Sequence, residues 1–133
     1  MKICAAIAVV LCLGVAGCDD GEPIVLTSMR VPSPDGKSVA IVEAVDNGLG
    51  FGQGMVYDEV HVGPSDLRTV GHGNYDVYVV FYAAQEASPS GSLRVSWLDP
   101  DHVRIEYDPS LRPARSVQSI GHIQVVYVPR AAS

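Results

Sequence analysis

The sequence predicts an all-β fold: one small antiparallel β-sandwich or curled sheet of about six to seven strands, after an N-terminal signal helix. Three observations carry this. Beyond residue 36, β-branched, apolar and aromatic residues recur with period two. Clusters of Gly, Pro, Asp, Asn and Ser separate these runs at short intervals. No stretch beyond residue 18 combines a 3.6-residue period with helix caps. The short links leave no room for crossover helices, so neighbouring strands are expected to be mostly antiparallel. A chain of 133 residues suits one domain.

The first element is an address. Of residues 1–17, 14 are apolar, with Lys2 as a minimal positive start. The run Ile3 to Val15 is shorter than the ~20 residues a membrane-spanning helix needs. Asp19, Asp20 and Glu22 end it abruptly. The junction Val15-Ala16-Gly17-Cys18 resembles the lipobox of bacterial lipoproteins: an aliphatic residue, two small residues, then cysteine. That resemblance implies cleavage between Gly17 and Cys18, and acylation of Cys18 with diacylglycerol and a further fatty acid such as palmitate. Asp19 after the modified cysteine resembles the inner-membrane retention signal of enteric lipoproteins. The expected organisation is a signal peptide over 1–17, an acidic tether over 18–32 and an all-β domain over 33–133.

Charge and cysteine usage narrow the chemistry. Without residues 1–17 the chain keeps 9 − 1 = 8 Lys and Arg against 15 Asp and Glu, a net of −7. That balance disfavours nucleic acid, whose phosphates require clustered cations. The three cysteines are Cys4, Cys12 and Cys18. Cleavage and acylation would therefore leave a domain with no thiol, no disulfide and no thiolate metal site.

The strands follow in order. Ser38 to Val45 is rich in Val and Ala. Met55 to Val62 alternates, placing Val56, Asp58, Val60 and Val62 on one face and Met55, Tyr57, Glu59 and His61 on the other. Asp76 to Ala83 is apolar enough to be buried on both faces. Leu93 to Tyr107 reads as a hairpin around Asp99-Pro100-Asp101, with Val95, Trp97, Val103, Ile105 and Tyr107 facing inward. Ile123 to Val128 closes the series. Ser65 to Val70 allows a single helical turn.

Ser33-Pro34-Asp35-Gly36-Lys37 followed by Ser38-Val39-Ala40-Ile41 resembles the turn and strand of β-propeller blades. Four blades of about 40 residues exceed the 116 available, so only a turn followed by a strand is inferred. The wider layout resembles a family of small exported bacterial proteins of unknown function. Its members open with Ser-x-Asp-Gly-Lys and an Ala/Val-rich strand, continue with a glycine-rich loop and a strand, and end with a Val-x-Trp…Val-x-Ile-x-Tyr hairpin. The corresponding pieces are Ser33 to Val45, Gly48 to Val62 and Val95 to Tyr107. Members often carry a cysteine before the glycine-rich stretch, where this chain has Asp46-Asn47. The resemblance supports the fold and implies no activity.

Catalytic grammar is thin. Gly48 to Gly54 precedes a strand, whereas a dinucleotide fingerprint precedes a helix, so it reads as a hairpin loop with Phe51 as a candidate partner contact. His61, His72, His102 and His122 form no recognised metal spacing. Serines lack a nucleophile elbow. Asp99, Asp101, Glu106 and Asp108 read as turn chemistry and solvated faces. Arg112 and Arg115, with Arg104, are candidates for a small basic patch.

The sequence thus points to a non-enzymatic envelope lipoprotein that binds a protein partner or stabilises an assembly, with no catalytic residue, cofactor or metal assigned. One alternative is a small envelope enzyme or metal-binding protein using His61, His72 or His122 with nearby carboxylates. The other is an inhibitor of an exported hydrolase.

Overall fold

The computed structural model describes residues 24–46, 56–69, 77–84 and 93–130. Nine strands lie within them. In chain order they are β1 (Ile24–Pro32), β2 (Ser38–Asp46), β3 (Val56–Pro64), β4 (Val79–Ala84), β5 (Leu93–Asp99), β6 (His102–Tyr107), β7 (Pro113–Ser116), β8 (Ser119–Ile120) and β9 (Ile123–Pro129). They form a five-stranded sheet, ordered β1-β2-β3-β4-β7, and a four-stranded sheet, ordered β5-β6-β9-β8. The expected all-β sandwich is the fold found, with nine strands in place of the six to seven expected, because β1 is exposed and β7 and β8 are only four and two residues long. The signal segment 1–17 and Cys18 lie outside the described residues, as do the Gly48 to Gly54 loop and Phe51.

The β1–β2 hairpin is built by the Ser-Pro-Asp-Gly-Lys turn. Asp35 Oδ1 accepts the Ser33 hydroxyl at 2.7 Å and the Lys37 N–H at 3.1 Å. These two donors hold the Asp35 carboxyl below the usual carboxylate range, the Ser33 hydroxyl most strongly. Gly36 takes a positive φ of 71°, which a residue with a Cβ adopts only with strain. Residues 24–32, expected as the second half of the tether, are a nine-residue strand paired along β2 from Ile24↔Asp46 to Pro32↔Val39. The sequence pattern hid this strand because it is exposed almost throughout and carries no buried face.

β2 and β3 pair without a break from Ser38↔Pro64 to Asp46↔Val56. The alternation read from sequence holds: Val60 and Val62 face the opposite sheet, and Glu59 and His61 face away from it. β4 begins at Val79, not Asp76; Val77 and Tyr78 form a turn, and Asp76 lies outside the described residues. Ser65–Asp66 make one turn, closed by Leu67 N–H to Pro64 C=O at 2.8 Å, and do not continue as helix.

β5 and β6 form the expected hairpin, with Val95↔Ile105 and Trp97↔Val103 in register. One pair departs from the antiparallel expectation: β6 and β9 are parallel. The intervening chain is long enough to cross to the other sheet, where β7 pairs with β4, and then to return through β8. A short link would have forbidden this; the link after Tyr107 is not short.

The core lies between the sheets. Ala40, Val60, Val62, Val80, Phe81 and Ala83 from one side meet Val95, Val103, Ile105, Ile123 and Val125 from the other. Phe81 sits 6.1 Å from the Tyr107 ring and 6.2 Å from that of Tyr127. Two polar links tie the sheets. Trp97 Nε1–H donates to the Val31 carbonyl at 2.8 Å, and the Tyr127 hydroxyl lies 2.9 and 2.7 Å from the Val80 and Val117 carbonyls. Burial is the main reason the Tyr127 phenol is pushed up to about 12.

Candidate functional site

Position 43 interrupts the apolar run of β2 with a carboxylate. On that strand Val39, Ile41, Glu43 and Val45 share the face that points away from the sandwich interior. β3 presents Tyr57, Glu59, His61 and Gly63 on the same face of the sheet, and register sets Glu43 directly opposite Glu59. Three polar side chains thereby converge on a sheet face that would otherwise meet water. They are nonetheless buried: Glu43 is 3%, Glu59 1% and His61 0% exposed.

Part of the cover is visible. After Pro64 the chain folds back over this face. Leu67 packs on Val39 and Ile41, with Tyr78 beside them. The Arg30 guanidinium, on β1, donates to the Leu67 carbonyl at 2.9 Å and the Ser65 carbonyl at 3.0 Å, pinning the segment across the sheet. Thr69 then reaches Glu43, its hydroxyl donating to Oε1. The Ser28 hydroxyl, opposite Glu43 on β1, donates to the same oxygen at 3.1 Å.

Within the cluster, His61 Nε2 is 3.0 Å from Glu59 Oε2 and 3.5 Å from Glu43 Oε2. Glu43 Oε2 is inaccessible to solvent and makes no hydrogen bond. Removing two carboxylates and an imidazole from water costs several kcal/mol per charge unless the charges are compensated. This is the one group of three or more His, Cys, Asp or Glu side chains among the described residues with donor atoms close enough to share an ion, all within 4.8 Å. Farther along the same face Tyr57 and Tyr82 stack, with centroids 4.5 Å apart and planes at 13°.

The other candidates from sequence separate. His122 is exposed and 3.5 Å from Asp101, far from His61 in chain and on the other sheet's turn. His102 pairs with Asp99 at 2.8 Å. That contact, with the Asp101 N–H, holds the Asp99 carboxyl below its ordinary range. Asp108 is likewise lowered, by the Ser110 N–H and then its hydroxyl. These carboxylates are turn chemistry, as read. His72 lies outside the described residues. Arg104 is on β6 and Arg115 on β7, in different sheets, and Arg104 Nε faces Glu106 at 3.7 Å, so the three-arginine patch is not assembled.

Sequence reasoning placed Glu59 and His61 on one face and missed Glu43. The available signal was a lone carboxylate in Val39-Ala40-Ile41-Val42-Glu43-Ala44-Val45, at the parity of buried Val39 and Ile41. A concavity of about 380 Å³ opens beside the Pro64 end of β3, lined in part by Val62, Gly63, Tyr78, Ile120, His122 and Ile123. No helix among the described residues is long and apolar enough to cross a membrane. The chain matches no protein-family model, no curated protein and no solved structure.

Proposed function

We propose that this chain is a lipid-anchored protein of the bacterial envelope, attached at Cys18, whose β-sandwich serves as a non-enzymatic protein-binding or assembly module. The lipobox-like Val15-Ala16-Gly17-Cys18 supports the anchor. The observation that supports binding is β1. It is an edge strand of the five-stranded sheet, and no strand pairs with its outer side among the described residues. Ile24, Val25, Leu26 and Met29 are exposed along it, at 60%, 39%, 52% and 52%. An open edge with apolar side chains is a template for strand addition or apolar docking. Pro32 and the bulge at Leu26 interrupt the edge, which favours a partner shaped to it over indiscriminate pairing.

The six residue steps from Cys18 to Ile24 reach at most about 21 Å when fully extended. The apolar start of β1 would therefore be held within that reach of the bilayer surface.

The test has two readings in one preparation. Intact mass of the detergent-solubilised protein should show a chain beginning at Cys18 with added diacyl and acyl mass, absent from a Cys18→Ser variant. A photo-crosslinking residue at Leu26 should capture an envelope protein in intact cells, while one at Leu98, exposed at the opposite end, should not. An unlipidated chain would refute the anchor; capture equal at both positions, or at neither, would refute the β1 surface.

A further inference from the structure

We propose that Glu43, Glu59 and His61 form a divalent transition-metal site, with Zn²⁺ the ion best matched to its donors. The inference is independent of the lipid anchor and of the β1 surface. Zinc binds imidazole nitrogen and carboxylate oxygen at about 2.0–2.2 Å, and a tetrahedral arrangement then spaces its donors about 3.4 Å apart. From His61 Nε2 the two carboxylate oxygens stand at 3.0 and 3.5 Å, on either side of that spacing. Adjacent paired strands fix this arrangement through their backbones, with Glu43 opposite Glu59 and His61 two residues farther along β3.

The second observation is the state of Glu43. Its Oε1 accepts both outer hydroxyls, Ser28 and Thr69, while Oε2 is buried without a hydrogen-bond partner and aimed at the imidazole. Buried polar atoms are nearly always satisfied, and a carboxylate oxygen left over in this way points to a missing ligand. Hydroxyls that hold the distal oxygen and turn the proximal one inward act as the outer shell of metal sites acts.

Donor chemistry selects the ion. Two carboxylates with a neutral imidazole carry a charge of −2, which a divalent cation balances in a site closed to water. Calcium takes six to eight oxygen ligands and magnesium retains several waters, so neither suits an imidazole and two carboxylates in so closed a space. Imidazole with carboxylate suits Zn²⁺ and its first-row neighbours. Three protein donors leave a fourth coordination position. His61 Nε2, 3.0 Å from Glu59 Oε2, binds an ion through its lone pair, so in the loaded site the neutral ring carries its N–H on Nδ1.

The test is titration of the chelator-stripped full chain in detergent with Zn²⁺, in competition with a chromophoric chelator. Expected is one tight equivalent per chain. Glu59→Gln and His61→Gln should each lower affinity at least about 100-fold, and Thr69→Ala about 10-fold. His122→Gln, on the exposed pair, should leave it unchanged. No tight equivalent in the wild-type chain, or equal affinity in Glu59→Gln and wild type, would overturn the proposal. Circular dichroism checks that each variant is folded. Where the cluster variants do not fold, Thr69→Ala, altered at a partly exposed hydroxyl, decides: unchanged affinity there overturns the proposal.

Discussion

Replacing His61 with leucine while Glu43 and Glu59 stay in place should cost about 3–5 kcal/mol of folding stability in the metal-free chain. His61 is wholly buried and its Nε2 faces both carboxylates, at 3.0 and 3.5 Å. Its loss leaves two carboxylates in a closed space with nothing between them. At roughly 4 °C per kcal/mol for a domain of this size, the midpoint of thermal unfolding should fall by about 12–20 °C. The triple variant Glu43→Leu/Glu59→Leu/His61→Leu should behave differently. It removes all three desolvated groups and fills their volume with apolar side chains, and buried ionic clusters replaced in this way are commonly as stable as the original or more stable by ~1–4 kcal/mol. Ser28 is exposed and Thr69 half-exposed, so their hydroxyls return to water. Urea unfolding can be followed by fluorescence of Trp97, the one tryptophan, which packs against the core. A triple variant that loses as much stability as the single one would refute the reasoning. The cluster would then be a structural brace whose energy lies in its own contacts, with no cost that a bound ion could offset.

Other consequences can be measured on the same chain. Gly63→Ala would place a Cβ 2.9 Å from Tyr78 Cδ1 and 3.0 Å from Leu67 Cδ2. Overpacking of that kind costs about 1–3 kcal/mol and should appear as a lower urea midpoint at unchanged slope. Tyr127→Phe removes the hydroxyl shared by the Val80 and Val117 carbonyls and should cost about 1 kcal/mol at neutral pH. The Tyr127 phenol is raised from 10.0 to about 12, so its contribution is complete below pH 10 and lost as pH rises towards 12. The gap between wild type and Tyr127→Phe should therefore narrow across that window, and a constant gap would contradict the assignment. Trp97→Phe removes the Nε1–H to Val31 carbonyl bond between the sheets together with part of the indole packed on the core, for a loss of at least about 1 kcal/mol. Hydrogen exchange in the β1 half of the hairpin should rise with it.

Legibility differed by element for physical reasons. The Leu93–Tyr107 hairpin was readable because both strands bury one face, so the period-two pattern reports register directly. The Ser33–Lys37 turn was readable because Asp35 and Gly36 satisfy its backbone locally. β1 was not: a strand exposed nearly throughout leaves no hydrophobic parity, so its consecutive Ile24-Val25-Leu26 carries no period-two signal. The parallel β6–β9 pair was not readable either, since parallel pairing between distant segments depends on where the intervening chain travels. At the candidate site the shared face of Glu59 and His61 followed from alternation, while Glu43 entered only through the β2–β3 register.

Local sequence pattern suffices for the strand-rich class, the Ser33–Lys37 turn, the faces of β3 and the expectation of an acylated Cys18. Each depends on residues within a few positions of one another. Tertiary structure alone decided that the outward face of β2 and β3 is covered, by Leu67 packing on Val39 and Ile41 and by Thr69 reaching Glu43. Glu43 and Glu59 stand directly opposite only because antiparallel pairing folds residues 16 apart in the chain onto one another. Burial converts that proximity into chemistry. The same three side chains on an open sheet face would be hydrated and weakly coupled, whereas in a space closed to water they need a proton or a cation to coexist.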